Sequence, residues 1–133
     1  MLADDQYLVR EGLRRLLETR EDLEVASACT DLDSLLAAVE AEQPDVVVTD
    51  IRMPPGNMDE GIQAATRLRE TNHEVGVVVL SQYAVPAYVL ALLEGGSERR
   101  AYLLKERVDD LDQLVAAIYA VADGGSVFDP KVV

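Results

Sequence analysis

Three stretches of this chain are apolar or β-branched at nearly every position, instead of at every second position. They lie at residues 46–49, 75–80 and 101–104. Strands of this kind are buried on both faces, as in parallel sheets that helices cover on both sides. The pattern therefore predicts a parallel sheet in the interior of the chain.

Segments with helical spacing separate these strands. Their apolar residues recur at intervals of three and four positions, as on one face of a helix. They are Leu8, Val9, Leu13, Leu16 and Leu17; Leu32, Leu35, Leu36 and Val39; Ile62, Ala65 and Leu68; Val85, Tyr88, Val89, Leu92 and Leu93; Leu111, Leu114, Val115, Ile118 and Val121. A further strand is predicted at residues 23–29. The alternation of helices and strands indicates βαβ units, so the predicted class is α/β with a doubly wound parallel sheet.

Composition limits the classes of protein that fit this chain. Its 133 residues are 49% hydrophobic and 28% charged, which suits one domain with a core. No apolar run approaches the roughly 18 residues that cross a membrane, and the charged segment from residue 3 argues against a signal peptide. The lone Cys29 cannot form an internal disulfide, which fits a cytoplasmic location. The formal net charge of −13 argues against nucleic-acid binding by this domain itself.

Polar side chains follow the predicted strands at the point where each strand ends. Asp4 and Asp5 follow a very short first strand, and Asp50, Ser81 and Lys105 follow the later ones. In open α/β sheets ligands bind beyond the carboxyl ends of the strands, at the switch in strand order. We therefore expect these five side chains to converge on one cleft.

Three carboxylates in one cleft repel one another unless a cation joins them. An all-oxygen ligand set without His or Cys indicates Mg²⁺ or Mn²⁺. A lysine and a hydroxyl beside such a metal are partners for a phosphoryl group, and Asp50 is then placed as a nucleophile.

Five segments of the chain carry a family resemblance, and four of them lie at strand ends. They are LADDQYLVREGLRRLLE, PDVVVTDIRMP, VVVLSQY, AYLLKERV and GGSVFDPKVV, and they cover essentially the whole chain. In this order they resemble the receiver domain of a two-component response regulator of the NarL/FixJ (LuxR-type) class. The resemblance implies a flavodoxin-like (CheY-like) (βα)5 fold with strand order 2-1-3-4-5.

The resemblance also implies roles for the acidic residues. Asp50 matches the family's phosphoacceptor, which a sensor histidine kinase phosphorylates with Mg²⁺. Asp5 matches the closer metal ligand, and Asp4 matches a second acidic residue that acts indirectly. The backbone carbonyl of Arg52 would complete the protein's share of the coordination.

Three more positions match the family's signalling residues. Lys105 would pair with the phosphoryl group, and Ser81 would be the switch hydroxyl that moves toward it. Tyr102 would be the switch aromatic that then rotates toward the core. Arg52 and Tyr83 lie two residues beyond the phosphoacceptor and the switch hydroxyl, so they are expected to flank the approach to the phosphoryl group.

The resemblance further implies a domain organisation and partners. Residues 1–126 would form the receiver domain, and residues 127–133 would begin a linker to a C-terminal helix-turn-helix domain that is absent from this chain. DNA would be bound only through that domain, and no membrane would be involved. The chain would be a signalling domain and not an enzyme in its own right.

A phosphorylation-dependent homodimer is expected, through one of two surfaces. Leu8, Arg15 and Tyr119 are candidate contacts on the first surface, formed by the first and fifth helices. Val89 and Tyr102 lie near the second surface, which carries the fifth strand. The first surface is favoured.

The chain departs from the family pattern at two places. The loop MPPGNMDEG is about three residues longer than the common form and lies beside Asp50, where it would alter access to the site. Only Met1, Leu2 and Ala3 precede Asp4, although a strand usually has about five or six residues. Either the start of the chain is truncated or misassigned, or the sheet is supported in another way.

Other classes of protein share parts of this pattern. A phosphohydrolase of the haloacid dehalogenase type also uses a strand-end Asp and Mg²⁺, but it needs a second Asp where Arg52 stands. A flavodoxin needs a Ser/Thr/Gly-rich phosphate loop where this chain has DDQYLV. A receiver with a degenerate site that only binds proteins remains the third alternative.

Overall fold

A six-stranded parallel sheet forms the centre of the protein in a computed structural model that describes residues 1–54, 56, 58–106 and 111–130. The strand order is β2-β1-β3-β4-β5-β6, and every pairing is parallel. The strands are β1 Leu2–Ala3, β2 Ala28–Cys29, β3 Val46–Asp50, β4 Gly76–Ser81, β5 Arg100–Leu104 and β6 Ser126–Phe128. The helices are α1 Tyr7–Glu18, α2 Leu32–Glu42, α3 Glu60–Thr71, α4 Pro86–Leu93 and α5 Leu111–Ala122. The predicted parallel α/β class and the order 2-1-3-4-5 are confirmed.

Both faces of the sheet are buried, as the continuous apolar strands predict. Along β3, Val47 points into a core formed with α2, α3 and α4, whereas Val46 and Val48 point into a core formed with α1 and α5. Each strand therefore has apolar side chains on two sides because helices cover both.

Local sequence explains where several helices begin and end. Asp31 precedes α2, and its Oδ1 accepts a hydrogen bond of 2.7 Å from the Ser34 N–H, which satisfies a donor of the first turn. The helix ends at Gln43, whose φ of 49° stops its continuation. Pro86 occupies the start of α4, where its missing N–H has no consequence.

The second strand is much shorter than predicted. Of residues 23–29, only Ala28 and Cys29 form a strand. They pair with Leu2 and Ala3, which make up the whole of β1. The residues before Ala28 therefore do not form part of this ladder. A strand needs a hydrogen-bonded neighbour, and the pairing with β1 covers only Ala28 and Cys29.

The sheet continues beyond the boundary predicted at residue 126. Ser126–Phe128 forms β6, which pairs with β5, and the Asp129 N–H donates to the Tyr102 carbonyl at 2.9 Å. Asp129 itself is buried. The packed unit thus includes the first residues of the predicted linker segment 127–133, and residues 131–133 lie outside the described part of the chain.

Candidate functional site

The carboxyl ends of the central strands meet at a cleft of about 190 Å³. β1 lies between β2 and β3 in the sheet. The chain passes from β1 to β2 on one side and then continues with β3 on the other side, so the strand order reverses here. Helices α1 and α3 consequently leave the sheet on opposite faces, which opens a crevice between the loops. The cleft is lined by Asp5, Gln6, Asp50, Ile51, Arg52, Ser81, Gln82, Tyr83, Tyr88 and Lys105.

Three carboxylates come together at one side of this cleft. Asp4, Asp5 and Asp50 each offer an oxygen atom, and these atoms all lie within 4.8 Å of one another. Asp4 is buried, Asp50 is half-buried and Asp5 is exposed. The convergence predicted from the strand ends is therefore present for all three acids.

Burial makes this cluster electrostatically unfavourable without a cation. Burial raises the pKa of the Asp50 carboxyl above its ordinary value, and the charge of Asp5 adds to the effect, while Lys105 and the Ile51 N–H oppose it. Burial likewise raises the pKa of the Asp4 carboxyl, and the charges of Asp50 and Asp5 add to the effect. The Gln6 N–H and the charge of Lys105 oppose it. In both carboxyl groups burial, the largest cause, outweighs the neighbours that favour the charged form.

Lys105 supplies part of that charge. Its Nζ lies 3.3 Å from Asp50 Oδ2 and 3.9 Å from Asp4 Oδ2, and its side chain is only 27% exposed. One ammonium group beside three carboxylates leaves an excess of negative charge. Oxygen donors with excess negative charge suit a hard divalent cation such as Mg²⁺, so the residues present fit the metal that the sequence predicted.

Asp50 accepts a hydrogen bond at its side chain and another at its backbone carbonyl. The Ile51 N–H donates to Asp50 Oδ1 at 2.8 Å, and the Thr49 hydroxyl donates to the Asp50 carbonyl at 2.9 Å. Gly61, at the start of α3, approaches so closely that a Cβ on it would lie 2.2 Å from the Asp50 carbonyl oxygen. Sequence reasoning missed Gly61 and Thr49, because nothing in the local pattern indicates a contact across the loop.

Glu60 anchors the long loop that follows β3. Its carboxylate is buried and accepts hydrogen bonds from the Gly56 N–H at 2.7 Å and the Met58 N–H at 2.8 Å. Burial works against the charge, but the backbone N–H groups of Met58, Glu60, Gly56 and Met53 together hold the pKa of Glu60 below its usual range. In the sequence Glu60 looks like an ordinary acid at a helix start. Pro55 and Asn57 of the same loop lie outside the described residues.

The two predicted switch residues share one hydrogen-bond acceptor. The Ser81 hydroxyl donates to the Tyr83 carbonyl at 2.8 Å, and the Tyr102 hydroxyl donates to the same carbonyl at 2.8 Å. Tyr102 is fully buried. The ring that was expected to rotate toward the core after phosphorylation therefore already lies in the core here, because the Tyr83 carbonyl gives its hydroxyl a partner inside.

The remaining predicted positions divide into exposed and buried ones. Arg52 and Tyr83 are exposed and line the cleft. Leu8, Arg15 and Tyr119, the candidate contacts of the first dimer surface, are exposed on α1 and α5. Val89 and Tyr102, named for the second surface, are buried and offer little area to a partner.

A family model for the response regulator receiver domain matches residues 1–119. This chain belongs to that family. The receiver domain is 37% identical over 132 residues to the transcriptional regulatory protein DegU of Brevibacillus brevis, covering 99% of this chain and 53% of that protein. The chain spans about half the length of the curated relatives that it matches.

Solved structures give the same result for the fold. A LuxR-family two-component response regulator from Aurantimonas sp. SI85-9A1 superposes with a TM-score of 0.82 at 28% identity, covering 99% of this receiver domain and 89% of that chain. A structure of two RcsB dimers bound to two parallel DNAs superposes with a TM-score of 0.79 at 25% identity, covering 98% and 63% of the respective chains. The chain is a receiver domain of the LuxR/NarL family, and the phosphohydrolase, flavodoxin and degenerate-site alternatives are not favoured.

The receiver domain contains no helix, within its described residues, that is long and apolar enough to span a membrane.

Proposed function

We propose that this receiver domain accepts a phosphoryl group on Asp50 from a phosphohistidine of a sensor kinase. The observation that carries the proposal is the meeting of three carboxylates within 4.8 Å, with the Lys105 ammonium 3.3 Å from Asp50, at the switch point of the sheet. Asp5, Asp50 and the Arg52 carbonyl would hold Mg²⁺ or Mn²⁺ directly, and Asp4 would act indirectly. The bound metal would supply positive charge beside the phosphoryl oxygens.

The protein's own residues supply the rest of the chemistry. A carboxylate oxygen of Asp50 forms the new bond to phosphorus, while the bond from phosphorus to the histidine nitrogen breaks and its electron pair stays with the imidazole. Lys105 offsets the charge of the phosphoryl oxygens. The Ile51 N–H, bonded to Asp50 Oδ1, keeps the carboxylate oriented toward the cleft. The product is a mixed anhydride on Asp50.

The shared Tyr83 carbonyl supports a route for the signal. A phosphoryl oxygen on Asp50 offers Ser81 a charged acceptor, which is stronger than a neutral carbonyl. When Ser81 turns to it, Tyr83 keeps only the Tyr102 hydroxyl of its two donors, and the loop between β4 and α4 changes its position. The surface of α4, β5 and α5 would then change, as in a two-state element that a local charge biases.

The output would be association of two receiver domains and, in a longer protein, control of transcription through a C-terminal DNA-binding domain. The relatives support this direction, since DegU is a transcriptional regulatory protein and the RcsB complex contains dimers on DNA. The exposed residues Leu8, Arg15 and Tyr119 make the α1 and α5 surface the preferred dimer contact.

Intact mass spectrometry after incubation with acetyl phosphate tests the proposal. The domain should gain one phosphoryl group with Mg²⁺ or Mn²⁺ and none with excess chelator. Asp50→Asn should abolish the gain, whereas Asp33→Asn, which changes an exposed carboxylate at the start of α2, should leave it unchanged. Equal uptake by the Asp50→Asn protein would refute the assignment. Repeated release of phosphate from a phosphate ester, without a covalent product, would favour the phosphohydrolase instead.

A further inference from the structure

The first two residues of α3 hold the backbone on either side of Arg52. On one side, the Gly61 N–H donates to the Ile51 carbonyl at 2.8 Å. On the other side, the Met53 N–H donates to the Glu60 carboxylate and favours its charged form. Ile51 and Met53 are buried, whereas Arg52 between them is exposed. The two neighbours of Arg52 therefore fix the position of its backbone.

The hydrogen bond from Met53 decides which way the Arg52 carbonyl points. The carbonyl of Arg52 and the N–H of Met53 belong to one peptide unit. A peptide unit between non-proline residues is planar and trans, so the two groups point in opposite directions. Because the N–H is turned toward Glu60, the Arg52 carbonyl is turned away from it. Arg52 lines the cleft beside Asp50, so a buried carboxylate outside the cleft lining orients the carbonyl that is expected to bind the metal.

The same carboxylate holds the loop that follows. Glu60 Oε2 accepts the Gly56 N–H at 2.7 Å, and Oε1 accepts the Met58 N–H at 2.8 Å. Backbone N–H groups in a loop lack the partners that a strand or helix supplies, and burial without a partner is costly. An ionised carboxylate suits this role because its two oxygens only accept hydrogen bonds. An amide in its place would turn an NH₂ group toward at least one of the N–H donors.

The helix dipole alone does not account for the position of Glu60. An acidic residue in the first turn of a helix can interact with the dipole from the surface. Glu60 is only 3% exposed, and a carboxylate at that depth is unfavourable unless it is hydrogen-bonded. The contacts with the loop therefore explain why this carboxylate is buried.

We propose that Glu60 is a positioning residue for the metal, which holds the peptide between Arg52 and Met53 so that the Arg52 carbonyl faces the cleft and the affinity for Mg²⁺ rises. The inference rests on the proposed function, because that function supplies Asp5 and Asp50 as the other ligands. In this role Glu60 acts through the backbone of the loop. Replacing a residue that orients a metal ligand typically weakens metal binding about 10–100-fold.

Two substitutions disturb this contact in different ways. Glu60→Gln removes the charge and gives the loop an amide. Gly56→Ala keeps every charge, but its Cβ would lie 2.6 Å from Glu60 Oε2 and would displace the carboxylate. Gly56 does not have a left-handed φ, so alanine does not strain the backbone there. The control is Glu70→Gln, which removes the same charge from an exposed position on the same helix.

The first measurement is the dissociation constant of Mn²⁺ from the unphosphorylated domain, followed by the electron paramagnetic resonance signal of the free ion. Competition with Mg²⁺ gives the affinity for Mg²⁺, and circular dichroism establishes that each variant is folded under these conditions. Glu60→Gln and Gly56→Ala should each raise both dissociation constants about tenfold. Glu70→Gln should leave them unchanged.

The second measurement is the dependence of phosphorylation by acetyl phosphate on the Mg²⁺ concentration. In Glu60→Gln and Gly56→Ala, the concentration that gives half the maximal rate should rise by the same factor as the dissociation constant. The rate at saturating Mg²⁺ should remain that of the wild type. A merely structural role for Glu60 would lower the free energy of unfolding without moving this midpoint.

Three results would overturn the role of Glu60. The first is unchanged metal affinity in both variants, and the second is an equal loss of affinity in Glu70→Gln. The third is a loss in Glu60→Gln without one in Gly56→Ala, because the charge and not the position of the carboxylate would then matter.

Asp5→Asn separates these results from a failure of the proposed function. It should abolish the binding of Mn²⁺. If Asp5→Asn binds Mn²⁺ as the wild type does, the metal site itself is wrong and the role of Glu60 is refuted with it. If Asp5→Asn loses the metal while Glu60→Gln and Gly56→Ala retain it, only the role of Glu60 is refuted.

Discussion

Replacing Gly61 by alanine should damage both the stability of the domain and its phosphorylation. A Cβ at this position would lie 2.2 Å from the Asp50 carbonyl oxygen and 2.9 Å from the Ile51 Cα. Both atoms belong to the backbone and cannot rotate away, and the Gly61 N–H is bonded to the Ile51 carbonyl at 2.8 Å. The contact can be relieved only if α3 or the end of β3 moves.

Gly12→Ala provides a matched control with the opposite expected sign. Gly12 lies within α1 and is exposed, and a Cβ added to it would meet nothing within 4 Å. Neither glycine has a left-handed φ, so neither change strains the backbone conformation itself. Gly12→Ala should stabilise the domain by about 0.5–1 kcal/mol through helix propensity. Gly61→Ala should destabilise it by about 1–3 kcal/mol through overpacking.

The free energy of unfolding is measured by urea titration with circular dichroism, and the rate of phosphorylation by intact mass with acetyl phosphate. Because relief of the overlap displaces the backbone of Asp50, Gly61→Ala should slow phosphorylation about tenfold, equivalent to about 1.4 kcal/mol of barrier. Gly12→Ala should leave that rate unchanged. If the two alanine variants were equally stable and equally fast, the close approach of α3 to Asp50 would be refuted.

Four further outcomes are expected. Burial is the main cause of the raised pKa of Asp50, so the metal-free folded domain should lose stability as the pH rises from about 3.8 through that raised pKa. In urea titrations with chelator, Asp50→Asn should reduce this loss of stability. Tyr102→Phe removes the donor to the Tyr83 carbonyl and should lower the free energy of unfolding by about 0.5–1.5 kcal/mol in the same assay; an unchanged value would contradict the hydrogen bond. The phosphorylated Arg52→Asn, Tyr83→Glu double variant should lose its phosphoryl group about tenfold faster than the wild type, because a carboxylate or amide can orient the attacking water, and equal decay would count against this role. Tyr119→Glu should weaken phosphorylation-dependent dimerisation in sedimentation experiments, and an unaffected dimer would argue against the surface of α1 and α5.

The candidate site was largely predictable because its residues follow from strand ends. A parallel sheet brings the carboxyl ends of its strands to one edge, so Asp4, Asp50, Ser81 and Lys105 could be assembled from their positions after apolar runs. These side chains lie in one region of the structure: Lys105 forms ion pairs with Asp50 and Asp4, and Ser81 lines the same cleft. Their chemical roles rest on the family resemblance and on the experiments above.

Contacts between distant parts of the chain were not predictable in this way. Gly61 and Glu60 look like an ordinary helix start, yet one lies against the Asp50 backbone and the other holds the loop through two N–H groups. The inward position of Tyr102 depends on the carbonyl of Tyr83, nineteen residues away. Such contacts depend on how loops fold back, and patterns of neighbouring residues in the sequence do not indicate this.

The class of fold follows from the sequence alone, because continuous apolar strands between amphipathic helices can be buried only in a parallel sheet covered on both faces. The meeting of the polar side chains also follows from the sequence, since the pattern places each at a strand end. How far the strands extend depends instead on contacts in the folded chain. Residues 23–27 have strand-like composition but remain outside the sheet, whereas Ser126–Phe128 joins it as β6. A strand forms only where a neighbouring strand offers hydrogen bonds. β1 offers them to β2 over two residues, and β5 offers them to β6 along its outer edge.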